Sequence, residues 1–169
     1  MRPITQIALS VLASSTLVAT AVAAPVLEGG RKFTLTLTAG AEPHGGDTNA
    51  SGTAWIVINP GQKRVCWEIT TTGVNPEYSI VAGTGAHIHS GAAGATGGVV
   101  VSLGVVLNGT SSGCTTRVTP TGDPLTTQQL AAIVSKPQNY YVNLHWADLD
   151  PSDGTLPNYS AGALRAQLR

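Results

Sequence analysis

At 169 residues the chain has the length of one domain with a core of its own. Nine basic side chains balance nine acidic ones and only 11% of residues are charged, which excludes the concentrated positive surface that nucleic acid demands. Twenty glycines and plentiful Thr, Ser, Ala and Val suit short strands joined by small-residue turns.

Arg2 opens a positive segment, and Ile7 to Val22 is apolar but diluted with Ser and Thr. Ala21-Val22-Ala23 then places small residues at the −3 and −1 positions of a cleavage site. The pattern predicts a secretory signal over residues 1–23 rather than a retained anchor, because the apolar run is short and interrupted. Residues 24–32 read as a lead-in and 33–169 as the folded domain. No later stretch is long and apolar enough to form a transmembrane segment. The mature protein is expected to be secreted or held in the cell envelope. Cys66 and Cys114 fit such an oxidising compartment, and a disulfide between them would close a loop of about fifty residues, worth ~4 kcal/mol. A metal role for the thiols is disfavoured, since neither has a ligand-spaced partner. Sequons at Asn49, Asn108 and Asn158 matter only in a host that glycosylates.

Phe33 to Thr38 alternates apolar and polar residues, the mark of a half-buried strand. Gly40 to Gly52 is a loop of turn formers that contains His44 and Asp47. A strand near Thr53 to Asn59 follows, and Pro60-Gly61 turns the chain into Lys63 to Thr72, where Val65, Trp67 and Ile69 share one face. Gly83 to Ser90 reads as a strand carrying His87 and His89, and Gly91 to Gly98 as a turn or flexible loop. Val99 to Val106 is almost continuously apolar, as in a buried strand, and Cys114 to Val118 is a shorter one. Thr126 begins the one convincing helix: Gln129 completes a capping box, Leu130, Ile133 and Val134 make an apolar face, and Pro137 stops it. Tyr140 to Trp146 has a strict period of two. A long loop from Asp148 to Ser160 precedes a final strand, Ala163 to Leu168. The expected fold is all-β, an antiparallel, Greek-key-like sandwich or barrel with one short helix.

His87 and His89 stand two apart and so project from one face of their strand, with Ile88 turned the other way into the core. On the later strand Val142, Leu144 and Trp146 share one face, and Tyr141, Asn143 and His145 the opposite one. If the two strands are close in the sheet, three imidazoles converge. Two readings fit. The leading one is a hydrogen-bonded network in which His, Tyr and Asn hold loops against the sheet. The alternative is a copper or zinc site on His87, His89 and His145, with His44, beside Asp47, as a fourth ligand and Tyr141 and Asn143 as supporting polar face. Other chemistry is poorly supported. The serines lack a Gly-x-Ser-x-Gly elbow. Asp148, Asp150 and Asp153 lack the glycine and terminal Glu of an EF-hand and read as a solvated turn. Gly94 to Gly98 is not followed by the Lys-Ser/Thr of a phosphate loop. Trp55, Trp67 and Trp146 read as core or its rim.

Three segments carry a resemblance: Gly85-Ala86-His87-Ile88-His89-Ser90-Gly91-Ala92-Ala93-Gly94, Tyr140-Tyr141-Val142-Asn143-Leu144-His145, and Gly162-Ala163-Leu164-Arg165-Ala166-Gln167-Leu168. In this order they resemble the CHRD domain, named for repeats in the extracellular growth-factor antagonist chordin. The resemblance runs from about Phe33 to Leu168. Ala166 stands where the family usually has Gly, and the Asp148–Ser160 loop is longer than typical. The resemblance implies an extracytoplasmic β domain without established catalysis, acting as a binding or structural module toward an unidentified extracellular protein or surface ligand. The His-Ile-His strand also resembles, distantly, the copper-ligand strand of copper–zinc superoxide dismutase. That enzyme needs more ligands than four histidines supply, so a copper-dependent oxidoreductase is the least favoured expectation.

Overall fold

A computed structural model describes residues 30–83, 85–105, 107–117, 122–150, 152 and 154–169. The expected signal segment, residues 24–29 of the lead-in and Asp153 lie outside the described residues.

The alternating segments form strands where their periodicity places them. β1 (Arg31–Leu37), β2 (Ser51–Asn59), β3 (Arg64–Thr72) and β7 (Gly109–Thr115) make one antiparallel sheet in the order β1-β2-β3-β7. β4 (Tyr78–Ile80), β8 (Tyr140–Asp148), β5 (Gly85–Ser90) and β6 (Val99–Gly104) make the other, in the order β4-β8-β5-β6, and β9 (Tyr159–Gln167) also pairs with β8. Apart from the helix α1 (Thr127–Ser135), only 3-10 turns at Ala39–Ala41 and Pro137–Asn139 break the pattern among the described residues. The two sheets form a half-barrel, sewn along one margin by reciprocal backbone bonds between Thr38 and Arg165.

Period-two burial builds the core. Phe33, Leu35 and Leu37 of β1 meet Ala54, Ile56 and Ile58 of β2 and Val65 and Ile69 of β3. From the second sheet Ile88, Val101, Leu103, Val142, Leu144, Trp146 and Leu164 close on them. Ala166 is part of this core, so the methyl at that position packs rather than disrupts. The Trp146 indole N–H donates to Asp47 Oδ2 at 3.2 Å, which fixes the loop after the first 3-10 turn against the sheet end. The helix has its full capping box, with Thr126 and Gln129 exchanging bonds, and buries Leu130 and Ile133. Lys63 adopts φ 51°, so the β2–β3 turn takes the four residues Pro60 to Lys63 and β3 begins at Arg64 rather than Lys63. The expected strand at Cys114 begins earlier, at Gly109, where hydroxyl pairs such as Thr70–Thr110 stand in for the apolar alternation. Cys66 and Cys114 face each other across β3 and β7 and are disulfide-bonded.

Candidate metal centre

β5 and β8 are neighbours, with His87 opposite Asn143 and His89 opposite Tyr141. The pleat that sends Ile88, Val142 and Leu144 into the core sends His87, His89 and His145 to the outer face of the second sheet. That face is roofed: the three imidazoles are 4%, 8% and 5% exposed. Their ring centroids lie 5.2–5.6 Å apart, and one nitrogen from each falls within 4.8 Å of the other two.

Each ring divides its nitrogens between two tasks. His89 Nδ1 bonds the Gly97 carbonyl at 2.9 Å, and His145 Nδ1 bonds the Ser160 carbonyl at 3.0 Å. His87 is hydrogen-bonded to the backbone of Ala82. The remaining nitrogens, His87 Nδ1, His89 Nε2 and His145 Nε2, are buried and have no hydrogen-bond partner in the protein. A nitrogen that donates to a carbonyl carries the proton, so its partner presents a lone pair. Burial favours the neutral ring throughout. It holds His87 down at about 4, with the charges of His145 and His89 adding to the effect and the Ala82 bond opposing it. It holds His145 at about 4 as well, against the Ser160 bond. His89 is lowered by burial, then opposed by the Gly97 bond and helped by Arg165. Three neutral imidazoles gathered this closely can bind a metal ion. Zinc–nitrogen bonds of about 2.0–2.1 Å set tetrahedral ligands about 3.4 Å apart, so the clustered nitrogens need to close by at most about 1.4 Å.

A CHRD domain model matches residues 33–153. The chain belongs to the CHRD domain family. No curated protein and no solved structure matches it. The matched stretch of this CHRD domain includes all three clustered histidines, whereas the closing Gly162–Leu168 segment lies beyond it.

The supporting groups are partly those expected. Tyr141 stacks on His89 at 5.0 Å and 9°, and its hydroxyl accepts from Gly97 N–H at 3.2 Å. The Gly91–Gly98 loop is thereby pinned as a roof rather than left as a flexible turn. Gly97 must be glycine: a Cβ there would stand 1.7 Å from the Ser90 carbonyl oxygen. Gly97→Ala is expected to destabilise the domain by about 2 kcal/mol by displacing the roof from His89 and Tyr141, measured by thermal unfolding.

His44 is the correction. It is exposed on its loop and is not part of the cluster, because the buried side chains of that segment are Glu42 and Asp47. Asp47 serves Trp146 and the Asn49 N–H instead. Glu42 and Arg165 were missing from the expected set. Arg165 is buried, lies 3.3 Å over the Tyr141 ring and donates to the Ala92 carbonyl at 3.0 Å, so the stack His89–Tyr141–Arg165 runs across three strands. Glu42 packs on Gly162, whose φ of +153° and absent side chain make room for the carboxyl. Burial raises Glu42 to about 7, with Arg165 pulling it back. A charged residue within the apolar alternation of the last strand was the available signal for Arg165. Asp148 departs from the solvated-turn expectation, being buried at the end of β8 where it accepts from the Asp150 N–H, while Asp150 is exposed and accepts from Ser152 in an Asx-type turn.

Proposed function

We propose that this CHRD domain is an exported, non-catalytic binding module whose site holds a copper or zinc ion on His87, His89 and His145. The observation that carries the reading is the division of labour within each ring, one nitrogen bonded to the backbone and the other buried and partnerless, in three rings that each bring a nitrogen within 4.8 Å of the other two. A polar network would satisfy those inner nitrogens, since a buried polar atom left without a partner costs about 1–3 kcal/mol. A metal ion satisfies all three at once, and the outer bonds set tautomer and ring orientation as they do in metal–histidine sites. Burial of the rings gives access to an ion and small ligands rather than to an organic substrate. Export is supported by the Arg2–Ala23 signal pattern and by the disulfide, and no helix among the described residues is long and apolar enough to cross a membrane.

Titration of the purified mature protein with Zn(II) or Cu(II) in a calorimeter is expected to show one ion bound per chain, and His87→Ala/His89→Ala to abolish it. Equal affinity in parent and double variant rules out the site.

A further inference from the structure

The histidines are not the only polar groups stranded beneath the roof. His87 stands opposite Ser102 of β6 on one side and Asn143 of β8 on the other. Cross-strand partners share a face, with Cβ atoms about 4.5–5.5 Å apart. Ser102, His87 and Asn143 therefore form one row across the sheet, and His145 follows Asn143 along β8 on that same face. Ser102 and Asn143 are 5% and 3% exposed, and Ser102 Oγ and Asn143 Oδ1 have no hydrogen-bond partner in the protein. The Asn143 amide nitrogen is engaged, donating to the Ala161 carbonyl at 3.5 Å. Two oxygens thus flank a metal-facing imidazole, each needing a partner of its own.

Zinc and Cu(II) take four or more ligands, and three imidazoles leave a position over. We propose that a water or hydroxide occupies it, seated between Asn143 Oδ1 and Ser102 Oγ. This rests on the metal reading and adds the identity of the fourth ligand. A bound water donates one proton to the Asn143 oxygen and uses the Ser102 hydroxyl for its second bond. The acceptor–hydroxyl pair then completes the valences of water, oxygen and metal together. Such a seat selects for the oxidation state of the ion: a divalent cation uses a hard oxygen ligand, whereas soft Cu(I) is content with imidazoles alone. Asn143 and Ser102 are specificity-determining residues of the centre.

The test uses the Cu(II)-loaded full-length mature protein equilibrated in oxygen-17 water and examined by electron–nuclear double resonance. The parent is expected to show an oxygen-17 coupling that weakens in Ser102→Ala and is lost in Ser102→Ala/Asn143→Leu. Ser102→Ala removes one oxygen atom, so its fold survives if the double variant fails, and Ser102→Thr is expected to restore the parental coupling. Zn(II) affinity should fall about 10–100-fold in the double variant, with Cu(I) affinity unchanged. Absent coupling in a parent that binds Cu(II) through its histidines overturns the water ligand alone. The same coupling in parent and Ser102→Ala does so too. A parent that binds no Cu(II) overturns the metal reading and this inference with it.

Discussion

Zinc at a thousand times its dissociation constant is expected to stabilise the domain by about 4 kcal/mol at neutral pH, and acid is expected to remove that gain only near pH 4. The first half follows from mass action: the ion binds three rings that converge in the folded sheet and are scattered in the unfolded chain. The second follows from the rings themselves. An unfolded histidine titrates near 6.5, whereas burial holds His87 and His145 at about 4 in the fold. Protons therefore compete for the metal-facing nitrogens well below the usual pH, and affinity should stay nearly flat from pH 8 to pH 6. The same shifts act on the metal-free protein. Rings with depressed pKa stay unprotonated in the fold while the unfolded chain takes up protons. Their stabilisation is full above about 6.5 and disappears as pH falls toward 4, roughly 3 kcal/mol for each of the two. Glu42 works in the opposite sense: raised to about 7, it stabilises below its ordinary 4.5 and loses that as pH rises through 7. Two rings against one carboxyl place the optimum of the metal-free protein near pH 6.5. Thermal melts from pH 4 to 8, with and without zinc, check both halves. A zinc increment that already collapses at pH 6.5, or that persists in His87→Ala/His89→Ala, refutes the account.

How much of this could be read from the chain depends on whether a period or a topology decides it. The outward phase of His87, His89, Tyr141, Asn143 and His145 follows from alternation within single strands, and the sequence pattern gives it directly. Their meeting does not follow from alternation. It requires β8, which begins fifty positions after β5 ends, to insert beside it, between β5 and β9, and no local pattern encodes that neighbour. His44 shows the converse error: a histidine in a turn-rich loop has ligand chemistry but no period to aim it, and the loop instead buries Glu42 and Asp47. Ser102 was visible as the polar break in an otherwise apolar run, yet became meaningful only once it stood opposite His87. The short β4 pairs with Asp148, Ala147 and Trp146 through three residues, too few to show a period.

Removing the disulfide by Cys66→Ala/Cys114→Ala is expected to cost about 4 kcal/mol, a large share of the roughly 5–15 kcal/mol that holds a typical domain together. The cross-link joins residues 48 apart in sequence, so it withholds a long loop from the unfolded ensemble. It also sits where the sheet has least else to hold it. β7 is an edge strand of sequence GTSSGCT that, among the described residues, pairs in its sheet with β3 alone. Beyond the backbone ladder it is fastened by the Thr70–Thr110 hydroxyl pair, the Ser111 bond to Gly104 and the seat of Gly113 against the Trp67 ring. None of these buries a large apolar side chain from β7, so the chain-entropy constraint dominates. Once it is gone, β7 should open before the rest and bare the edge of β3, which invites strand pairing between molecules. Denaturant unfolding should show the loss, and amide exchange should be fastest across Gly109–Thr115. The histidines belong to the other sheet, so zinc affinity of the still-folded variant should match the parent. A loss below about 1 kcal/mol, or uniform exchange across both sheets, would mean that β7 is held by its ladder rather than by the cross-link.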